Sequence, residues 1–475
     1  MLLLVILHIY FVSFLDKPEK SVPQLSPRAV EQRERWNIPT DEKDYPVSPL
    51  YLGELQKAGA YVHHVSRWFN GATVEMDEET AEKVRAMKFV TDVEMTREAV
   101  SSQPSALSRQ KSALNRQLSE ARTLQQAYSD KQLALYNLPP LHEAGFEGQG
   151  ILMVVCDGGF YNAQTLSCFR QKELELGHFD FTDDTDDFYG TTGAHGTECL
   201  STISALTAEY KGAATKAPYY LMRAEENATE SPKEMDNLVA ALEKADSLGA
   251  NIFSVSLGYA MFDNEEWTLH KDELDGRSTR SSLAATIAAR KGMLVCVAAG
   301  NEGNGAWKTL SSPADADSVL AVGAVDTLGQ IGSFSSYGPS ADGRVKPEVC
   351  AVGVKSVLVN PGGTIVASNG TSFATPLIAG MAACIWSALP EENAMQIRER
   401  IIRSADRYGN PDKEQYGYGI PDAWKAYSMT LPTEIEEVEK QNSKVENSKV
   451  LRNGQLYIIR GKRVFDILGR EWEDR

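Results

Sequence analysis

Basic charge is the first thing this 475-residue sequence is short of: 48 Lys and Arg stand against 65 Asp and Glu, a formal charge of −17. Proteins with a large nucleic-acid footprint carry a basic stripe, so no nucleic-acid partner is expected. Cysteine is sparse, with six residues at Cys156, Cys168, Cys199, Cys296, Cys350 and Cys384. No pair has C-x-x-C spacing, which leaves a zinc or thioredoxin-type motif unsupported. Most lie in apolar runs such as LMVVCD and MLVCVAAG and read as buried free thiols. Phosphate-cradling loops are missing. Neither G-x-G-x-x-G nor a P-loop follows any strand-like run, which argues against a nucleotide-binding α/β enzyme. The apolar opening MLLLVILHIYFVSFL is short for a membrane span. It resembles the apolar region of a signal peptide but has no preceding Lys or Arg and no A-x-A-like cleavage site. Its second half, IYFVSFLDK, reads equally as the first strand of a folded domain, so residues 1–15 are a signal segment overlapping that strand.

What is present is an ordinary globular composition, 42% hydrophobic and 24% charged. Residues 9–97 form a small domain. IYFVSF is strand-like, SPRAVEQRERW and SPLYLGELQKAG each open with Ser as N-cap and Pro at the first helical position, and two extended segments flank Asn70-Gly71. DEETAEKVRAM and FVTDVEM then close the order of a ferredoxin-like βαββαβ unit. Residues 98–130, rich in Ser, Gln and Arg, read as an exposed connector. Over 131–430, short and almost continuous apolar runs alternate with helical stretches ending at Gly. This is the pattern of a parallel sheet covered on both faces. Residues 431–449 are a polar acidic linker, and 450–475 a short hairpin around Gly461-Lys462.

In open parallel sheets, functional groups collect at the carboxyl ends of strands. ILMVVCDGG ends in Asp157 and MLVCVAAGNEG in Asn301. His195 opens the helix-like GAHGTECLSTISAL, and Ser372 lies at the start of NGTSFATPLIAGMAACIWSAL. A serine becomes a nucleophile through a base, usually His, whose tautomer an Asp holds. A side-chain amide and a helix start supply donors to the resulting oxyanion. Taken singly, each residue has an ordinary alternative: Asp157 and Asn301 as turn residues, His195 as a capping or core histidine, Ser372 as an N-cap. Their joint occurrence favours chemistry. Pro376 and the hydroxyls after Ser372 suit a central buried helix better than a membrane helix, so no stable membrane span is expected.

The segments VVCDGGF, GAHGTECLS, SVSLG, VAAGNEG, SFSSYGP, KPEVCAVG and NGTSFATPLIAG together resemble a subtilisin-like serine protease over 131–430. The Asp, His, Ser order is the subtilisin order. The resemblance implies an α/β fold: a three-layer domain with a mostly parallel central sheet, preceded by a ferredoxin-like α+β propeptide that blocks the cleft in cis. It implies that Asp157 orients the imidazole, His195 is base and then acid, Ser372 attacks the scissile carbonyl, and Asn301 with the Ser372 N–H holds the oxyanion. SVSLG is expected beside substrate as an edge strand through Ser256, Leu257 and Gly258, and Ala298, Ala299 and Gly300 as a pocket wall. The enzyme implied is a secreted or cell-envelope bacterial endopeptidase acting on protein or peptide substrates, similar to secreted Bacteroidetes members. The tail is similar to short sorting segments of that phylum.

Gly158 departs from the Ser, Thr or Ala usual in the family after the Asp, which would loosen local hydrogen bonding, although Gly can hold the same backbone. Arg109, Arg116 and Arg122 are candidate processing points. Asp180, Asp183, Asp184, Asp186 and Asp187 have oxygens suited to structural calcium, but no EF-hand pattern; a solvated acidic loop is the better reading, and no cofactor or metal ligand is assigned. Asn227 and Asn369 match a glycosylation pattern, the second by coincidence with the Ser372 motif. The alternative function is a catalytically silent module that captures peptides on SVSLG by strand addition.

Overall fold

The computed structural model describes residues 6–18, 21–98, 127–169, 172–182, 188–190, 193–226, 229–431 and four strands between 447 and 472. Arg109, Arg116, Arg122, Asp183, Asp184, Asp186, Asp187, Asn227, most of the connector and most of the polar linker lie outside the described residues. The chain forms two compact units, Met1–Tyr427 and Ser428–Arg475.

The first unit opens with β1 (His8–Phe14), α1 (Pro27–Arg35), α2 (Pro49–Ala58), β2 (Tyr61–Ser66), β3 (Gly71–Met76), α3 (Glu78–Arg85) and β4 (Val90–Arg97). The strands form an antiparallel sheet in the order β2-β3-β1-β4, as a ferredoxin-like unit requires. Tyr10, Val12, Phe14, Val74 and Met76 from the sheet pack on Leu55 of α2 and Val84 of α3. The two Ser-Pro openings both make helices, with Ser26 accepting from the Ala29 N–H and Ser48 from the Tyr51 N–H. Only α2 joins this core. Helix α1 is nearly all polar and buries just Ala29 and Arg33, so it has no apolar face to give the sheet.

Next come α4 (Ala127–Ala134), α5 (Pro139–Glu143), β5 (Met153–Asp157), β6 (Glu175–Asp180), α6 (His195–Ser204), β7 (Tyr219–Arg223), α7 (Lys233–Leu248), β8 (Ile252–Val255), α8 (Arg280–Arg290), β9 (Leu294–Ala298), β10 (Leu320–Val325) and β11 (Val349–Val352). A hairpin of β12 (Ser356–Val359) and β13 (Ile365–Ser368) precedes α9 (Thr371–Ala388), α10 (Ala394–Ser404) and α11 (Ala423–Ser428). Seven parallel strands run in the order β11-β10-β9-β8-β5-β7-β6. Alternation sends Met153 and Val155 into one core with α9, and Val154 and Cys156 into another with α7 and α8. All six cysteines are free and buried. The expected connector overshoots: α4 begins at Ala127, and its Gln132 side chain accepts from the Val357 N–H at 2.8 Å, tying it to this unit. Among the described residues one helix, α9, is long and apolar enough to cross a bilayer, and 89% of that stretch is buried inside the fold.

Residues 21–46 form a strap from the N-terminal sheet across the ends of α7 and α8. Arg28 donates to Gly249 O at 2.9 Å and to Asn251 Oδ1 at 2.6 Å. Gly249 ends α7 at φ +73°, and a Cβ there would lie 2.6 Å from Ala29 N, so the position needs glycine twice over. Trp36 meets Trp386 at 5.6 Å, and Ile38 packs on Gly292. Beneath lies a buried ionic network: Arg33 bridges Asp44 (2.7 Å) and Asp246 (2.8 Å), Lys291 pairs with Asp44 (2.8 Å), and Arg67 with Asp246 (2.6 Å).

The second unit is a meander of β14 (Asn447–Arg452), β15 (Gln455–Arg460), β16 (Arg463–Asp466) and β17 (Glu471–Trp472). The expected hairpin is its centre, where Arg460 pairs with Arg463. The extra strands correct the reading of 450–475 as one hairpin, and β14 begins inside the span read as linker.

Removing one partner from a buried ion network leaves uncompensated charge. Arg33→Ala in the Ser372→Ala background should lose about 3–5 kcal/mol in urea unfolding. Arg35→Ala, whose partner Glu391 is 85% exposed, should lose no more than about 1 kcal/mol. Equal losses would contradict a structural role for the network.

Candidate active site

Three helix or strand ends meet at the carboxyl edge of the sheet. Strand β5 delivers Asp157, α6 begins at His195, and α9 begins at Thr371, one residue before Ser372. His195 Nδ1 lies 2.8 Å from Asp157 Oδ1; the carboxylate is fully buried, and the imidazole is 24% exposed. The Gly158 N–H donates to the same oxygen at 2.8 Å, while Asp157 Oδ2 is buried with no partner. Glycine at 158 holds the carboxylate through its backbone N–H. Gly196 N donates to Gly159 O at 2.9 Å, and Thr197 Oγ1 to Tyr161 O at 2.8 Å, pinning the α6 start to the loop after β5. A Cβ at Gly196 would lie 2.4 Å from Gly159 O, which explains the glycine after the histidine.

Burial works against a charged His195, but the Asp157 carboxylate outweighs it and holds the imidazolium well above its ordinary range. Cys199, one turn along α6, brings Sγ to 3.8 Å from Nδ1 and 4.0 Å from Nε2. Burial pushes its thiol up to about 11, so it is uncharged at neutral pH and the carboxylate supplies the shift. Asp157, His195 and Cys199 are also the one trio of potential metal-ligand atoms within 4.8 Å among the described residues. His195 Nδ1 is already committed to Asp157 there. Asp180, the described member of the acidic run, accepts from Thr182 and pairs with Arg223 at 3.0 Å.

Ser372 is not the helix cap. Gly370 occupies that position with no side chain to offer, and the first helical amide, Thr371 N–H, donates to Asn301 Oδ1 at 2.9 Å, as does Thr371 Oγ1 at 3.0 Å. Spending Oδ1 this way orients the amide and leaves Asn301 Nδ2 and the neighbouring Ser372 N–H without acceptors among the described residues. Ser372 Oγ donates to Ser256 O at 3.4 Å; no hydrogen bond joins it to His195 in this structure.

Pro376 has a role that sequence reasoning missed. In a regular helix its N–H would serve Ser372 O. Proline has none, and that carbonyl instead accepts from Ser256 Oγ at 2.8 Å and Cys199 Sγ at 3.4 Å. The chain after β8 and helix α6 are thereby both fastened to residue 372.

Ser256–Gly258 extend beyond β8, which lies between β9 and β5 and is not an edge strand as expected; sequence does not reveal strand order. Alternation turns the Leu257 and Ala299 side chains into the α7–α8 core, so what these positions can offer a ligand is backbone. Gly258 instead faces Ser311, where a built Cβ would lie 2.9 Å from Ser311 Cβ, and Gly300 faces Ser336 and Ser311, where it would lie 2.8 Å and 3.2 Å from their Oγ atoms. Ala298 ends β9 and is buried. Ser311 was not singled out because nothing in its local sequence marks it.

A parallel α/β sheet with a carboxylate–imidazole pair and a serine at an open helix start is the frame of a serine hydrolase. A family model described as Peptidase S8, Subtilase family, matches residues 148–419, and one described as the Peptidase S8 propeptide domain of Bacteroidota matches 9–114. Over 288 residues the chain is 31% identical to Subtilisin NAT of Bacillus subtilis subsp. natto, covering 59% of this chain and 67% of that protein. It is 30% identical to Subtilisin of Bacillus pumilus over 59% of this chain and 92% of that one. The solved structure of MycP1 from the ESX-1 type VII secretion system shares the fold at 21% identity and a TM-score of 0.53, over 66% of this chain and 90% of that chain. The chain belongs to the subtilase family: it is a serine-type endopeptidase with an N-terminal propeptide domain.

Two outcomes follow from the geometry. A base held protonated by Asp157 works only above its raised pKa, so kcat/KM of the processed enzyme should rise with pH and level off at alkaline pH. In Asp157→Asn that limb should move down and the plateau fall by about 10⁴; a wild-type limb at or below the ordinary histidine range would contradict the pairing. Ser256→Ala leaves the buried Ser372 carbonyl to a thiol alone, and should lose about 1–3 kcal/mol of stability in urea. An unchanged midpoint would show that the carbonyl needs no hydroxyl.

Proposed function

We propose that this endopeptidase cuts by acyl transfer, with Ser372 as nucleophile, His195 as general base and then acid, and Asp157 as the group that holds the imidazole. The observation that carries this reading is the 2.8 Å Asp157–His195 pair set beside a helix start whose first amide is spent on Asn301 while the Ser372 N–H has no acceptor among the described residues. For attack the Ser372 hydroxyl has to turn from Ser256 O to His195 Nε2; such bonds commonly tighten only with substrate bound. As the tetrahedral intermediate forms, its oxyanion meets Asn301 Nδ2 and the Ser372 N–H. The leaving amine takes its proton from His195, and water then reverses the sequence. This chemistry needs no cofactor. The N-terminal domain acts as an inhibitor in cis, removed by a cut in the connector, and the mature enzyme works outside the cytoplasm or in the cell envelope.

Processed wild-type protein should react with a serine-directed fluorophosphonate, and Ser372→Ala should neither react nor process itself when made alone. Absence of labelling in processed protein would support a silent peptide-binding module, and maturation of purified Ser372→Ala would contradict self-cleavage.

A further inference from the structure

Ser372 is followed by Phe373, a large side chain only 3% exposed in the first turn of α9. Its ring joins neither of the two main cores. It packs instead with Cys199 of α6, Leu358 of β12 and Val366 of β13 in a separate cluster. Two members of that cluster touch the catalytic groups. Cys199 Sγ lies 3.8 Å from His195 Nδ1 and donates to Ser372 O. The Phe373 ring meets the His195 imidazole with centroids 5.5 Å apart and planes at 47°. The β12–β13 hairpin thus backs the ring that backs the histidine. The same chain step that carries the serine also carries an aromatic side chain onto its base.

Charge around the imidazole is distributed unevenly. Asp157 from β5 sits on Nδ1. Glu198 and Cys199 face it from its own helix, where burial pushes the Glu198 carboxyl up to about 6 and the Cys199 thiol up to about 11. The side formed by α9 and the hairpin has no charge to offer, because the chain carries no acidic or basic residue between Ser356 and Ala388. A general base turns cationic as it takes the serine proton, and burial opposes that charge. An aromatic ring is a neutral group that can offset the penalty. Its face is electron-rich and attracts a cation within about 6 Å of its centroid, more strongly where water is excluded. An aliphatic side chain of similar bulk would fill the same space without that field.

We infer that Phe373 is a positioning residue for the reaction: its ring holds His195 in place and stabilises the imidazolium formed when Ser372 gives up its proton. This rests on the serine-peptidase reading above and adds a member to the machinery of that site. Asp157 fixes the tautomer through Nδ1, and the phenyl ring attracts the cation from α9. Because Phe373 directly follows Ser372, a shift of the helix start moves the nucleophile and the ring together.

The test replaces Phe373, in the full chain, by phenylalanines carrying one, two and three ring fluorines. These keep shape and burial while drawing electron density from the ring face. Processed enzyme is titrated with a serine-directed fluorophosphonate, so that rates refer to reactive sites. On the alkaline plateau kcat/KM for a peptide amide should fall stepwise with each fluorine, by about threefold or more across the series, with the loss in kcat rather than KM. The pH limb should move downward in the same order, because a weaker ring field disfavours the imidazolium. Phe373→Leu, apolar but without the quadrupole, should lie at the bottom of the series. Packing alone predicts no trend with fluorination. A flat series, or a Phe373→Leu enzyme with the wild-type limb and plateau, would overturn the inference. Labelling of Ser372 in every variant beside a flat series would leave the proposed chemistry standing without this residue, whereas wild type that cannot be labelled would overturn both.

Discussion

The structure turns on a hydrogen bond that Pro376 cannot make. An interior helix proline costs about 3 kcal/mol or more in an ordinary setting. Here the missing N–H frees the carbonyl of Ser372, and Ser256 and Cys199 take it. Asn301 meanwhile takes the first amide of the same helix. Residue 372 is thus held from β8, from α6 and from the end of β9. Because α9 is buried from Thr371 to Trp386, its start has little freedom to drift from the sheet edge.

The same economy governs the propeptide contact. The propeptide sheet already meets the catalytic unit through buried groups: Trp68 packs into the α7–α8 core, and Ser66 Oγ, Arg67 N–H and Trp68 N–H donate to Glu243. The strap adds to this by carrying Arg33 and Asp44 into a network with Lys291, Arg67 and Asp246. Such a network is a poor source of raw stability but a demanding one geometrically: each charge is tolerable only while its partners stay. The propeptide is therefore held at several places: at the ends of α7 and α8, at Glu243, at Phe181 O, at Arg280 and at Glu226.

Asp157, His195, Asn301 and Ser372 were legible because each sits in a short motif whose chemistry is local, and the strand alternation around them is continuous enough to announce a doubly covered sheet. The βαββαβ order of the propeptide was legible for the same reason. The strap was not: α1 looks like any polar surface helix, and its partners Asp246, Gly249 and Asn251 lie more than two hundred residues away. Nor could sequence place β8 in the middle of the sheet, turn Leu257 and Ala299 into the core, or reveal that Ser256 and Cys199 serve a carbonyl abandoned by a proline. Those facts depend on which strands become neighbours, and no local pattern encodes that.

The central claim is that Ser372 carries the acyl group during peptide cleavage. Rapid acid quenching of processed enzyme with a slow ester substrate, followed by peptide mapping, tests it most directly. The account predicts a stoichiometric acyl adduct on the peptide containing Ser372, formed and lost at rates that match turnover. Steady turnover with no adduct, or with the adduct on another residue such as Cys199, would contradict it.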